Sequence, residues 1–294
     1  MMGSAIMLMA LLQAGSLPVQ QEVQDASRGK AAKTTTARRS AHKVVVDAGH
    51  GGVDPGAGMQ GRLREKDVTL QLSMKVGAAL RRRGIQVVYT RTRDTLIARA
   101  DRGRIANEAE GDVFLSIHVN AANPRWKRPQ AARGFETYFL GVAKTEDSRR
   151  VEEMEEESGR FETASASAGD DPLDFILTDM LQNEHLRESS DLAEIVQRHL
   201  RKIHPGPDRG VKQAGFTVLV SAFMPAVLVE VGFGTNREEA KFLASPQRQE
   251  EMAEAIAEAT REYLQRHEGR LGAGKGAAGG AAPRFTRTGT GRND

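Results

Sequence analysis

The chain has 294 residues, enough for one large domain or two small ones, and 39% of them are hydrophobic, so a sizeable core can form. It has no cysteine, which excludes disulfides, iron–sulfur clusters and thiolate zinc sites, suits an oxidising compartment, and leaves His, Asp and Glu to hold any metal. The net charge of +3 is unevenly spread: residues 17–43 and 265–294 together carry +8 and residues 44–264 carry −5, so the basic balance belongs to the tails and gives no ground for a nucleic-acid partner.

The first residues hold one apolar run, Ala5 to Leu12, followed by the small residues Ala14, Gly15 and Ser16. The run is too short to span a bilayer as a helix. It suits the apolar region of a secretory signal, although no Lys or Arg precedes it. We read 1–16 as a signal peptide, which implies export to the periplasm or exterior and no membrane span in the mature protein. Residues 17–42 are polar and aperiodic and read as a linker. Residues 266–294 are rich in Gly, Ala and Arg and read as a disordered basic tail.

Between these tails, 43–265 alternates strands and helices. Lys43 to Asp47 (KVVVD) is a short buried-type strand running into Gly49, Gly51 and Gly52. Val68, Leu72, Val76 and Leu80 recur every four residues and mark a helix from about Glu65 to Arg83, stopped by Gly84. Ile85 to Thr90 is the next strand and Ile97 to Ala109 the next helix. Val113 to His118 (VFLSIH) is apolar almost throughout, as a strand covered on both faces is. Gly134 to Leu140 is a strand. After a long interruption, Leu192, Ile195, Val196, Leu200 and Ile203 mark a helix. Phe216 to Val220 and Ala226 to Val231 read as further strands, and Ser245-Pro246 opens the last helix. This order predicts an α/β fold with a mostly parallel sheet and helices on both faces. The interruption, 145–190, carries fourteen Asp/Glu against four Arg, a net charge of −10. No internal repeat is visible.

Seven histidines are the available imidazoles. His42 and His267 flank the core in polar sequence. His199 lies on the apolar stripe of its helix and reads as a packed core residue. His204 follows that helix and suits a C-terminal cap. His185 lies in the acidic insert. His50 and His118 remain, each just past the end of a buried strand, and the carboxyl ends of strands are where open α/β sheets bind ligands. Glu65 opens the next helix three residues before Val68, on its inward face. Two imidazoles and a carboxylate make the donor set of a catalytic zinc with a fourth position open. The alternative is an ordinary Gly-rich turn at His50. Glu230 lies within the apolar strand AVLVEVGF. A carboxylate there is costly unless paired, neutral or near a metal. Desolvation raises its pKa and suits it to general base work. The structural alternative is a pair with a cation such as Arg209.

The segments DAGHGGVDPGA (47–57), LREKDV with Glu65, FLSIHVNAA (114–122), GVKQAGFTVL (210–219) and PAVLVEVGFGTN (225–236) resemble, in order, the zinc-dependent N-acetylmuramoyl-L-alanine amidases. The resemblance covers about 43–265, broken by the insert. It implies a six-stranded sheet, Zn2+ held by His50, Glu65 and His118, Glu230 as the catalytic residue, and cleavage of the amide between muramic acid and L-alanine in peptidoglycan. Asn120, two residues past His118, reads either as a substrate-binding or site-orienting residue or as a turn residue, and Lys212 with Arg209 either as partners of the stem-peptide carboxylates or as solvated charges. The position of the insert resembles a regulatory insertion of division-associated members, in which a helix covers the zinc cleft until a LytM-type activator displaces it. RRVEEMEEES (149–158) can form such a helix, with one of its glutamates in the open zinc position; the bland alternative is a solvated loop. A monomer acting in cell separation or wall remodelling is expected. The competing readings are, in order, a non-catalytic wall-binding module on the same fold, a nucleotide-binding loop, for which GHGG lacks the GxGxxG pattern and its acidic partner, and a zinc carboxypeptidase, which would differ only in the bond cut.

Overall fold

In a computed structural model of the chain, the described residues are 41–58, 64–162 and 172–278. The expected signal segment 1–16, nearly all of the linker and the tail beyond 278 lie outside them.

Six strands form one sheet: β1 (Lys43–Ala48), β2 (Gln86–Tyr89), β3 (Val113–Asn120), β4 (Phe135–Leu140), β5 (Asp208–Ala214) and β6 (Ala226–Phe233), in the order β2-β1-β3-β6-β4-β5. All neighbours are parallel except β4 and β6. The mostly parallel, six-stranded architecture therefore agrees with expectation. Helix α1 (Glu65–Arg82) connects β1 to β2, and α2 (Arg99–Glu108) connects β2 to β3. Acidic residues in the first turn of α1 and Arg81 and Arg82 in its last turn match the helix dipole. Gly84, at φ 76°, ends it in a conformation that a side chain disfavours.

Alternation along β1 divides the core. Val44 and Val46 pack on one face with Leu72, Val76 and Leu80 of α1. Val45 packs on the other with Phe114 and Leu228. Each such side chain contributes about 1.5–3 kcal/mol of burial, and with both faces covered the sheet edge is left to carry chemistry.

The excursion after β4 departs from expectation in detail. Five residues (141–145) lead into α3 (Glu146–Glu156), whose first turn is capped by the Thr145 hydroxyl accepting from Ser148 N at 3.0 Å. Val151 of α3 is fully buried against the second face of the sheet. A 3-10 segment, Glu157–Phe161, follows. The second half of the insert is the start of α4 (Pro172–Leu200), one helix that runs on into the stripe read around Leu192. The segment read as a strand at 216–220 is instead a single helical turn, α5 (Thr217–Val220), and the strand lies just before it as β5. A five-residue, largely apolar run does not distinguish the two, and β5 is a half-buried edge strand, DRGVKQA, without an apolar signature. Helix α6 (Arg237–Ala244) and α7 (Pro246–Ala278) close the chain. Helix α7 runs past the expected boundary at 265, and His267 on it is buried and stacked on Tyr263 rather than lying in a polar flank. No described helix is long and apolar enough to cross a membrane.

Candidate metal centre

Parallel pairing of β1 with β3 sets Asp47 beside Ser116 and Ala48 beside Ile117, so both strands end at one edge. The chain leaves β1 through Gly49, whose N–H donates to the Ile117 carbonyl at 3.0 Å. A Cβ at Gly49 would lie 2.6 Å from the His118 ring, so only glycine admits that imidazole. His50 follows at φ 58°, a left-handed conformation that costs a non-glycine residue roughly 1–2 kcal/mol. Arg102 of α2 holds it there, donating to the His50 carbonyl at 2.9 Å and to Asp47 at 2.9 Å. Burial raises the Asp47 pKa, but Arg102, Ser116 and Thr90 outweigh it, so the carboxyl sits below its ordinary value.

Four side chains converge at this edge. Among the described residues, His50, Glu65, His118 and Glu155 each bring one donor atom within 4.8 Å of the others, and all four are buried. Glu65 Oε1 is 3.2 Å from His50 Nε2 and 3.5 Å from His118 Nδ1. Glu155 Oε2, from α3, is 3.2 Å from His50 Nε2 and 2.7 Å from His118 Nδ1. None of these approaches has hydrogen-bond geometry: both ring nitrogens and both Glu155 oxygens are buried without a hydrogen-bond partner. The atoms point at a common centre instead of at one another. An unmade buried hydrogen bond costs about 1–3 kcal/mol per group. Four together mark a place shaped for a cation, and imidazole nitrogen with carboxylate oxygen suits a divalent metal.

The supports are also built. His50 Nδ1 contacts Asp54 Oδ2 at 2.8 Å, which leaves Nε2 to face the centre. Glu65 Oε1 accepts from Val119 N and Oε2 from Ala57 N, each at 2.7 Å. Burial depresses both imidazoles, yet the carboxylates overcome it. Glu65 and Glu155 hold His50 well above its usual value, and Glu155 with Glu65 holds His118 at about 10.

Glu230 lies beside His118 across the β3–β6 pairing. It is fully buried and neither carboxylate oxygen has a hydrogen-bond partner. Burial, then Glu155, Glu65 and Glu136, push its pKa well above the carboxylate range, against the pull of His118. The pairing with Arg209 weighed from the sequence is not formed. Arg209 donates to Glu136 Oε2 at 2.8 Å and to Asp147 at 2.7 Å. Lys212 donates to the same two carboxylates, at 2.5 and 2.7 Å. Asn120 is no turn residue: it is fully buried in β3, donating to Glu136 Oε1 at 2.7 Å and accepting from Arg150 of α3 at 3.2 Å. Asn120 and Lys212 thus meet at Glu136, itself paired with Glu230 across the antiparallel strands.

Among the other histidines, His185 contacts Glu188 and His199 contacts Glu262, away from the centre. His204 is buried against Phe135 and Phe242, accepts from Gly206 N at 2.9 Å and is held down to about 4 chiefly by burial. It is neutral and so provides no charged helix cap. Sequence reasoning missed Asp54, Glu136 and Arg102. Asp54, four residues after His50, was within reach of a local reading; the other two depend on strand pairing.

Helix α3 lies across the centre. Besides Glu155, it places Asp147 on Lys212 and Arg209, and Arg150 on the Ala121 carbonyl at 2.8 Å with its guanidinium over Trp126. Along one side of α3 a cleft of about 380 Å³ is lined by His50, Asp54, Ala121, Met154, Ser158 and Thr235.

An open α/β sheet with a buried His₂–carboxylate centre at its edge and an unpaired carboxylate alongside belongs to the class of metal-dependent hydrolases. Residues 44–262 match the family Amidase_3, N-acetylmuramoyl-L-alanine amidase, and the chain belongs to that family. It is 32% identical over 247 residues to the N-acetylmuramoyl-L-alanine amidase AmiA of Salmonella typhimurium, covering 83% of this chain and 84% of that protein. Its fold is similar to that of an N-acetylmuramoyl-L-alanine amidase from Clostridium difficile 630, at 31% identity and a TM-score of 0.58 over 76% of this chain and 97% of that one. It is also similar to AmiC2 of Nostoc punctiforme, at 31% identity and a TM-score of 0.56 over the same shares.

Proposed function

We propose that the protein is a zinc-dependent hydrolase that cuts the amide between muramic acid and the L-alanine of peptidoglycan stem peptides, and that α3 holds it closed until displaced. The observation that carries this reading is the convergence of His50 Nε2, Glu65 and His118 Nδ1 on one point, with the unpaired Glu230 beside it.

His50, Glu65 and His118 hold the ion, and Asp54 fixes the ring that His50 presents. Bound there, zinc supplies a Lewis acid for the scissile carbonyl and lowers the pKa of water. Glu230 supplies the proton traffic. Its raised pKa, caused first by burial, brings it nearer to neutrality than an exposed carboxylate, so it takes a proton from the attacking water and returns it to the leaving alanine nitrogen. Glu136, tied to Lys212, Arg209, Asn120 and the Tyr138 hydroxyl, adds negative potential next to Glu230 and fixes the cations around it.

Glu155 occupies the fourth donor position, which the substrate carbonyl and water need. The enzyme is therefore self-inhibited, and a partner that lifts α3 activates it. Its substrate places it outside the cytoplasm, in wall remodelling or cell separation.

Digestion of purified sacculi by the zinc-loaded Glu155→Ala chain tests the reading. The expected products are stem peptides with a free L-alanine amino end, lost in Glu155→Ala with Glu230→Gln while zinc content is kept. Undiminished release after Glu230→Gln would sink the role of Glu230. Binding to sacculi without cleavage by the opened protein would favour the wall-binding module.

A further inference from the structure

The carboxylate next to Glu155 also has a receptor. Glu156 is held by Arg99 of α2, by the Thr217 backbone N–H at 2.9 Å and by the Thr217 hydroxyl at 2.7 Å. Arg99 also donates through Nε to Glu162 at 2.9 Å and through its guanidinium to the Glu156 carbonyl at 2.9 Å. Both partners in this receptor belong to the body of the enzyme, and both carboxylates it holds belong to the excursion. The Arg99 side chain is about one-fifth exposed, so it is reachable from solvent while remaining partly desolvated. Arg99 lines the same small cavity as His50, His118, Glu155 and Phe216, so the receptor opens onto the metal centre.

Two consecutive glutamates thus occupy two adjacent places, one at the metal centre and one on Arg99 and Thr217. The stem peptide likewise carries a carboxylate close to its scissile amide. Its scissile amide lies before L-alanine, and the following D-glutamate, linked through its side chain, carries a free α-carboxylate. Resting on the amidase reading above, we propose that Arg99 and Thr217 form a carboxylate subsite for that D-glutamate and that Glu156 occupies it in the closed enzyme. The subsite makes Arg99 a specificity-determining residue. The guanidinium and the amide N–H only donate, and the Thr217 hydroxyl donates to the carboxylate it now holds, so the receptor suits a carboxylate and leaves the NH₂ of a primary amide facing mostly donors. The enzyme then discriminates between stem peptides with D-glutamate and those amidated to D-isoglutamine.

Binding is measured by calorimetry on the full chain carrying Glu155→Ala and Glu156→Ala to clear the site, with Glu230→Gln added to prevent turnover. The probes are muramyl-L-alanyl-D-glutamate and its D-isoglutamine analogue. The acid is expected to bind about tenfold tighter, the scale of one lost charge-assisted hydrogen bond. Adding Arg99→Gln brings the ratio close to one, Arg99→Lys keeps most of it, and Thr217→Val, which removes only the hydroxyl, lowers it about threefold. Equal affinity for the two probes, no measurable binding of the acid, or an unchanged ratio after Arg99→Gln would each overturn the subsite. With Glu230 restored, an intact preference without release of the stem peptide overturns the amidase reading and leaves the subsite standing.

Discussion

Val151 offers a way to loosen α3 without touching the metal centre or its ligands. Its side chain is fully buried on the second face of the sheet, in the cluster that contains Phe114, Tyr138 and Leu228. Lifting α3 must expose it. Val151→Ala removes two methyl-sized groups, worth about 0.8 kcal/mol each in transfer, and the cavity left behind brings the loss to about 1.5–2.5 kcal/mol. Because that contact exists only in the docked state, the loss falls on the docking equilibrium, and each 1.4 kcal/mol is a factor of ten in the open fraction. While the closed state dominates, Val151→Ala should raise the rate of dye release from labelled sacculi by about ten- to sixtyfold, with zinc content unchanged. Limited proteolysis should cut the variant faster within the excursion. An unchanged or lower rate from a protein with intact folding and full zinc content would refute the docking argument. It would mean either that α3 does not restrain turnover or that its burial is not what holds it.

The remaining predictions concern the frame of the centre. Asp54→Asn weakens the orientation of His50 and should lower zinc affinity by about 10- to 100-fold in a chelator competition, with little change in thermal midpoint; equal affinity would remove Asp54 from the site. Gly49→Ala brings a methyl to 2.6 Å from the His118 ring and should cost about 1–3 kcal/mol in urea unfolding together with loss of stoichiometric zinc; a variant that keeps both would show that the ring can move aside. His204, held at about 4 in the folded protein, is an acid-sensitive point. The unfolded chain takes up its proton near 6.5, so the stability is complete above that pH and is lost as pH falls toward 4, by about 3 kcal/mol at most. Urea midpoints between pH 7 and 5 should fall less steeply in His204→Gln than in the wild type, and equal slopes would count against it.

Much of the architecture can be read from runs such as KVVVD, VFLSIH and AVLVEV, because central parallel strands are apolar on both faces and need no partner to be recognised. Strand β5 escapes for the opposite reason. At the sheet edge its residues are half-buried, and DRGVKQA owes its strand to pairing with β4. His50, Glu65, His118 and Glu230 could be singled out by position and by cost: two imidazoles past strand ends, one carboxylate at a helix start, one in an apolar strand. Glu155 could not be chosen from among the glutamates of RRVEEMEEES until α3 docked. Ser148, Val151 and Glu155 then fall on one buried face, a spacing that identifies Glu155 once Val151 is taken as the anchor. Asn120 and Lys212 show what residue type leaves out. Both are polar groups near the cleft, yet their partner is Glu136, which strand pairing alone brings to them.

The five residues between β4 and α3 also set the kinetics of closure. A helix tethered that closely meets its own cleft at an effective concentration in the millimolar range, however dilute the enzyme. Reclosing is thus a first-order event that needs no second molecule and does not slow on dilution. On the self-inhibited reading proposed above, an activator would have to stay bound for as long as activity is wanted, and hydrolysis would stop where it lets go.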